Sequence, residues 1–202
     1  MSEHPPLEWS VAARPLPGEP TSGDRAFVSV ATHHALAAAV DGLGHGPEAG
    51  LASRTAVEVL ERFKCEDVVS LARRCHAALR TTRGAAVSLA SFDSAASKMT
   101  WVGIGNVEGR LLRDGGRAQE TETLLVRSGV AGHELPLLAA HSVDVRRGDL
   151  LILATDGIEP SFTDSVGVAE SCREISDRIL ERHALDTDDA LVLVARYLGE
   201  IE

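Results

Sequence analysis

Short runs rich in apolar residues recur along the chain, each bounded by Gly, Pro, Asp or Ser. Runs of this length and composition predict β-strands, because alternate side chains of a pleated strand can cover a buried face. Where such runs are separated only by short turns, they predict mainly antiparallel sheets. We predict strands at residues 7–13, 25–31, 34–40, 85–92, 98–104, 107–112, 121–127, 141–145, 150–154 and 190–197.

Three segments instead repeat their apolar residues every three or four positions. Residues 49–63 and 67–79 each carry apolar side chains along one helical face, and residues 170–183 show the same spacing. This period predicts three amphipathic helices. The order of strands, two helices, strands, helix and strand predicts an α+β fold with two packed sheets and helices outside them.

Length and composition agree with one compact unit. The chain has 202 residues, of which 44% are hydrophobic and only 3% are aromatic. The core must therefore consist mainly of Ala, Val, Leu and Ile. We predict a single domain over residues 1–202, with a flexible start at residues 1–6.

Charge and cysteine content narrow the classes of function. The formal net charge of -10 argues against nucleic-acid and anionic-membrane partners, because it repels phosphate groups. No apolar run reaches the ~18 residues of a membrane helix, and the first residues lack the features of a secretory signal. Cys65, Cys75 and Cys172 lack zinc-type spacing and predict reduced thiols. We expect a cytoplasmic protein.

Four acidic sites share one local pattern, in which Asp stands beside Gly or another Asp near a predicted strand end. They are Gly23-Asp24, Asp41-Gly42, Asp156-Gly157 and Asp188-Asp189. Each one alone is compatible with an ordinary turn, where Asp-Gly is common. Asp41 and Asp156 follow the apolar runs LAAAV and LLILAT, however, which would deliver a carboxylate to the edge of a core.

Convergence of these carboxylates would require a cation. Clustered carboxylates repel one another and raise their pKa values unless a positive charge neutralises them. An all-oxygen ligand set suits Mg²⁺ or Mn²⁺, and two such ions can activate water for attack on a phosphate ester. The residues alone leave two interpretations open, a metal-dependent phosphoesterase and a set of unrelated turns.

The ordered set of acidic motifs resembles the PPM family of metal-dependent protein phosphatases over nearly the whole chain. Within this family the chain is most similar to the compact bacterial serine phosphatases of the SpoIIE and RsbX type. The segments GIGNVEGRLL, from Gly103, and RSGVAGHELPLL, from Arg127, resemble the RsbX type in particular.

This resemblance implies a four-layer αββα sandwich of two mainly antiparallel sheets flanked by helices. It implies hydrolysis of phosphoserine or phosphothreonine on stress-signalling proteins, such as stressosome scaffold or STAS-domain proteins. The resemblance also implies two Mn²⁺ or Mg²⁺ ions, with a third bound weakly. We expect a monomer.

The resemblance assigns the metal ligands to the acidic motifs. Asp41 is expected to bridge both ions, and the carbonyl oxygen of Gly42 to bind one of them. Asp156 and Asp188 are expected to hold the other ion, and Asp24 to bind ions or their water ligands.

Other positions are expected to support the site or to depart from the family pattern. Asp189 and Gly157 are assigned supporting roles. Leu43 stands where many family members have a proposed acid histidine, which moves the expected role of general acid to His45, because a histidine titrates near neutrality. The Arg that relatives place shortly before Asp24 is absent.

These departures leave two other classes of function open. One is a regulatory binding module with a phosphatase fold and weak or lost catalysis, and the other is a small-molecule phosphoesterase.

Two remaining features predict structural roles. Gly103-Ile104-Gly105-Asn106 lacks the following helix of a dinucleotide-binding turn and predicts a hairpin turn. Trp101 is predicted to fill the interface between the sheets.

Overall fold

The computed structural model describes residues 5–113, 120–167 and 169–199. Of the start that we expect to be flexible, residues 1–4 lie outside these ranges. The described chain forms three α-helices, one 3₁₀ helix and eleven strands. In chain order they are β1 (Leu7–Arg14), β2 (Asp24–Val30), β3 (His34–Gly42), α1 (Gly46–Phe63), α2 (Val68–Leu79), β4 (Ala85–Asp93), β5 (Lys98–Ile104), β6 (Glu108–Arg113), β7 (Glu120–Thr123), β8 (Val126–Arg127), β9 (His141–Asp144), β10 (Leu150–Ala154), the 3₁₀ helix (Pro160–Ser165), α3 (Cys172–His183) and β11 (Ala190–Tyr197).

The strands form two sheets. The first sheet has the order β1-β11-β10-β6-β7, and its neighbouring strands are antiparallel. The second sheet has the order β2-β3-β4-β5-β8, antiparallel up to β5. The short strand β8 pairs in parallel with the end of β5, and β9 pairs antiparallel with the start of β5.

The core between the sheets follows from the alternation of side chains along each strand. On β3, Ala35, Ala37 and Ala39 belong to the cluster that also contains Leu151 and Leu193 of the first sheet. The intervening residues of β3 belong to a second cluster, with the inner faces of α1 and α2. Small alanines on the facing side allow the two sheets to approach closely.

Helices cover the outer face of both sheets. On the second sheet, Ala52 and Leu60 of α1 pack against the outward residues of β3 and β4. On the first sheet, Ile175 and Ile179 of α3 pack in a cluster with outward residues of β10 and β11. The helix starts are capped by side chains at α2 and α3, where Asp67 and Ser171 accept backbone hydrogen bonds. The predicted αββα sandwich is confirmed.

Two predictions about the second half of the chain are wrong. Residues 121–127 form two strands instead of one, because the chain changes sheets here: β7 pairs with β6 in the first sheet and β8 with β5 in the second. Residues 103–106 do not form a hairpin turn, since β5 and β6 belong to different sheets. This connection therefore crosses from one layer to the other. Trp101 is 4% exposed in the core between the sheets, as predicted.

Among the helices in the described ranges, none combines the length and the apolar character needed to cross a membrane.

Candidate metal centre

The candidate site lies at one edge of the sandwich, where strands of both sheets begin or end. In the second sheet, Asp41 near the end of β3 pairs in register with Asp24 at the start of β2. In the first sheet, Asp156 closely follows β10, and Asp188 closely precedes its neighbour β11. The charge of Asp41 interacts with those of all three other residues. The structure therefore brings the four predicted ligand carboxylates together, two from each sheet.

Withdrawal from water and mutual repulsion raise the pKa values of this cluster. Burial first, and then the charges of its three acidic neighbours, raise the pKa of Asp41 from 3.8 to about 8. Asp24 is 7% exposed, and burial is the main cause that raises its pKa to about 7. Burial and the charge of Asp188 also raise the pKa of Asp156. A bound cation would favour the ionised form of each group.

Two polar residues outside the predicted set hold these carboxylates. Thr155 Oγ1 donates a hydrogen bond of 2.7 Å to Asp24 Oδ2 and so joins the two sheets. Asn106 Nδ2 donates a hydrogen bond of 2.5 Å to Asp156 Oδ2, and hydrogen bonding by Asn106 also lowers the pKa of Asp41. The position of Asn106, beside glycine at the end of a predicted strand, follows the same pattern as the acidic motifs and was the signal available in the sequence.

Asp189 fixes the backbone that leads to Asp24. Its carboxylate is 2% exposed and accepts hydrogen bonds from the backbone N–H groups of Leu16 at 2.8 Å and Gly23 at 2.7 Å. The carboxylate of Asp188 accepts the backbone N–H of Asp189 at 2.8 Å. Both oxygens of Asp189 are thus used within the protein.

The glycines that follow Asp41 and Asp156 are required by close backbone contacts. A Cβ atom at Gly42 would lie 2.1 Å from the carbonyl oxygen of Ala49 in α1. A Cβ atom at Gly157 would lie 2.0 Å from the carbonyl oxygen of Asp189. Each Asp-Gly pair therefore places its carboxylate while the glycine allows another segment to approach the backbone.

The residues after Gly42 form the exposed rim of the site. His45 is the N-cap residue of α1, and its Nδ1 lies 2.9 Å from Glu19 Oε1. Leu43 is 51% exposed. Arg83 is a cationic side chain beside this turn, because its Nη1 would lie 3.0 Å from a Cβ atom on Gly44. The role of His45 as general acid stays a prediction.

The donor set of the site fits a hard divalent cation. Within the described ranges, no three Asp, Glu, His or Cys side chains converge closely enough to hold an ion by themselves. An ion here would complete its ligand set with backbone oxygen and water. Mg²⁺ characteristically binds in this way, through one or two carboxylates with several retained waters. Repelling carboxylates at a sheet edge open to solvent provide that environment.

The chain is similar to known phosphatases in sequence. The family model described as "Stage II sporulation protein E (SpoIIE)" matches residues 32–198. The phosphoserine phosphatase RsbX of Bacillus subtilis (strain 168) is 28% identical over 163 residues, which are 80% of each chain.

Solved structures give the same result. A structure described as "The bacterial stressosome: a modular system that has been adapted to control secondary messenger signaling" is 29% identical, with a TM-score of 0.85 over 94% of this chain and 99% of the other. RsbX in complex with magnesium has a TM-score of 0.85 at 24% identity, over 95% of both chains.

The predicted resemblance to the SpoIIE and RsbX branch is thereby confirmed. Because the family model covers most of the chain, including Asp41, Asp156 and Asp188, this protein belongs to the SpoIIE family of PPM-type phosphatases.

Proposed function

We propose that this protein is a metal-dependent phosphoprotein phosphatase that hydrolyses phosphoserine and phosphothreonine. The observation that carries the proposal is the group of four carboxylates, which come from both sheets and meet at one edge, where burial and neighbouring charges raise the pKa values of Asp24, Asp41 and Asp156. Such a group is unfavourable without a cation and becomes favourable when it binds one. Perturbed carboxylates in this arrangement are characteristic of functional sites.

Each residue of the group has a proposed role. Asp41 would bind both of two Mg²⁺ or Mn²⁺ ions, and the carbonyl oxygen of Gly42 would bind one of them. Asp156 and Asp188 would hold the other ion, while Asp24 would bind an ion or its water ligands. When bound, a pair of such ions supplies an activated water and neutralises charge on the phosphoryl group.

Supporting residues keep this set in position. Asp189 holds the loop before Asp24 through two backbone hydrogen bonds, and Gly157 gives the turn after Asp156 room beside Asp189. Asn106 aligns Asp156 by a donated hydrogen bond. All three therefore act on the geometry of the ligands and have no proposed contact with the phosphate.

The leaving serine or threonine oxygen needs a proton. Leu43 has no group that could supply one, whereas the ring of His45 lies at the exposed rim beside Glu19. We assign the proton transfer to His45, with water as the substitute when this ring is removed. Replacement of His45 by Gln should therefore reduce kcat, because water must then donate the proton.

The proposed substrates are phosphorylated proteins of bacterial stress signalling. RsbX, a relative matched over 80% of this chain, is named a phosphoserine phosphatase, and the description of a similar structure at 29% identity names the bacterial stressosome. Phosphorylated stressosome scaffold and STAS-domain proteins are therefore the first substrates to test.

The test is phosphate release from those phosphoproteins under controlled metal. Wild-type protein should release phosphate with Mn²⁺ or Mg²⁺ and lose the activity in EDTA, and Asp41→Asn should reduce it at least about 100-fold. Asp144→Asn is the matched control, because this carboxylate is 85% exposed on β9. Metal-independent release would refute the mechanism. Tight binding of the phosphoproteins without turnover would instead favour a regulatory binding module. Turnover of simple phosphate esters at the same rate as the phosphoproteins would favour a small-molecule phosphoesterase.

A further inference from the structure

A cavity of about 300 Å³ opens directly beside the carboxylate group. It shares Asp41 and Asn106 with the candidate metal centre, and the rest of its wall is largely apolar. Its lining residues are Asp41, Leu43, Ala86, Gly105, Asn106, Ser128, Gly129 and Val130. This volume is at the lower end of the ~300–1,000 Å³ of ligand pockets, which is suitable for one side chain of a larger molecule.

Leu43 is the most informative residue of this wall. It directly follows the Asp41-Gly42 pair, yet its side chain is 51% exposed and belongs to none of the core clusters of the described chain. Its backbone N–H donates to the carbonyl oxygen of Gly84 at 3.0 Å, so its position is fixed. A large apolar side chain held at the rim of a polar site contributes little to the core and is available to a ligand.

The opposite wall is also held in place by the fold. The backbone N–H of Gly105 donates to the carbonyl oxygen of Arg127 at 2.8 Å, which fixes the segment leading to Ser128. Val130 and Glu134 form a bridge, and Ala131 pairs with Ala85 of β4. The cavity is therefore formed before any ligand enters, which reduces the entropic cost of binding.

We propose that this cavity is a subsite that binds an aliphatic side chain of the substrate. This side chain lies within about three residues of the phosphorylated serine or threonine in the substrate sequence. An extended peptide advances ~3.3–3.6 Å per residue, so a phosphoryl group at the carboxylates brings only its near neighbours to the cavity. Leu43, Ala86 and Val130 match an aliphatic group, and Asp41, the one charged residue of the lining, belongs to the proposed metal ligands. This inference rests on the proposed phosphatase function and specifies which phosphorylated segments the site selects.

The test compares pairs of phosphoserine peptides that carry leucine or alanine at each of the three positions on either side of the phosphoserine. With saturating Mn²⁺, wild-type protein should prefer leucine at one of these positions by about 10-fold in kcat/KM. Leu43→Ala should reduce this preference to about twofold, because the methyl groups lose their contact surface. The ratio within one peptide pair is independent of how much each variant retains of its overall activity.

Leu51→Ala is the matched control. Leu51 is 50% exposed, nearly the same as Leu43, but lies on α1 outside the lining of the cavity. It should retain the full preference for leucine. Val130→Ala is a second variant in the opposite wall and should reduce the preference as Leu43→Ala does, and thermal unfolding verifies that each variant is folded.

The outcomes separate the two levels of the proposal. Metal-dependent release without a leucine preference, or with one that both wall variants retain, overturns the subsite and leaves the phosphatase function standing. Failure to release phosphate from every peptide and from the phosphoproteins overturns the function, and the subsite with it. A preference that both wall variants lose and Leu51→Ala keeps supports the subsite.

Discussion

Replacement of Asp41 by Asn should stabilise the metal-free protein at neutral and alkaline pH while it abolishes metal binding. In the folded protein, burial and the neighbouring carboxylates raise the pKa of Asp41 from 3.8 to about 8. The folded state therefore holds a proton that the unfolded state releases above about pH 4. Since the folded state binds more protons in this range, the free energy of unfolding falls as pH rises from about 4 to about 8.

The size of the effect follows from this interval. Over this range the free energy of unfolding falls by about 1.4 kcal/mol for each pH unit. Between pH 3.8, the ordinary pKa of the carboxyl, and pH 7, the total loss is about 4 kcal/mol. Water that enters the open edge reduces the penalty, so we expect Asp41→Asn to gain about 2–4 kcal/mol at pH 7 to 8 and nothing near pH 4. The asparagine removes the charge and keeps the shape of the side chain.

The assay is urea unfolding in EDTA between pH 4 and pH 8, repeated with Mg²⁺ or Mn²⁺. Adding metal should reverse the order, because the ions stabilise the wild type and not the variant. The exposed Asp144→Asn variant should follow the wild type, and intact mass should verify that the asparagine before Gly42 has not deamidated. Parallel curves for wild type and Asp41→Asn in EDTA would refute the electrostatic argument.

Three further predictions concern the supporting residues. Asn106→Asp replaces the hydrogen-bond donor that faces Asp156 by a fifth carboxylate, so the free energy of unfolding at pH 8 in EDTA should fall by about 1–3 kcal/mol. Calorimetry should show that this variant binds Mn²⁺ more tightly, and an unchanged Mn²⁺ affinity would contradict the role assigned to Asn106. Gly157→Ala should reduce the free energy of unfolding in urea by about 2–4 kcal/mol, since its Cβ would lie 2.0 Å from a carbonyl oxygen. The control is Gly167→Ala, whose Cβ would lie 3.4 Å from its nearest neighbour and whose free energy of unfolding should equal that of the wild type. Asp189→Ala leaves two backbone N–H groups without an acceptor, so its free energy of unfolding should be about 2–4 kcal/mol lower than that of the wild type and it should bind Mn²⁺ more weakly. A variant as stable as the wild type would show that water replaces the carboxylate as acceptor.

The fold was largely predictable because the two periodicities of the chain are clear. The predicted strands at 98–104, 150–154 and 190–197 agree with β5, β10 and β11 in both bounds. The predicted strand at 121–127 failed because periodicity describes local burial and carries no information about which sheet a strand joins. Buried Leu124 continues the apolar pattern across the point where the chain changes sheets.

The same limitation explains what the sequence missed at the site. The four carboxylates stand at strand ends that the pattern reveals, but only the family resemblance predicted that they converge on one site. Asn106 was placed in a hairpin turn because Gly103-Ile104-Gly105-Asn106 has turn composition, although β5 and β6 lie in different layers. Thr155 is part of the apolar run LLILAT, where the sequence pattern gives it no polar role. Its hydrogen bond to Asp24 links residues far apart in the chain, which local periodicity does not predict.

The two-and-two division of the carboxylates between the sheets has a consequence for the motions of the protein. Ions held by Asp41 of one sheet and Asp156 of the other would link the two sheets at this edge of the sandwich. Metal should therefore slow amide hydrogen exchange at the ends of β3 and β10 more than elsewhere, and chelation should let the layers separate first at the edge that carries the carboxylates.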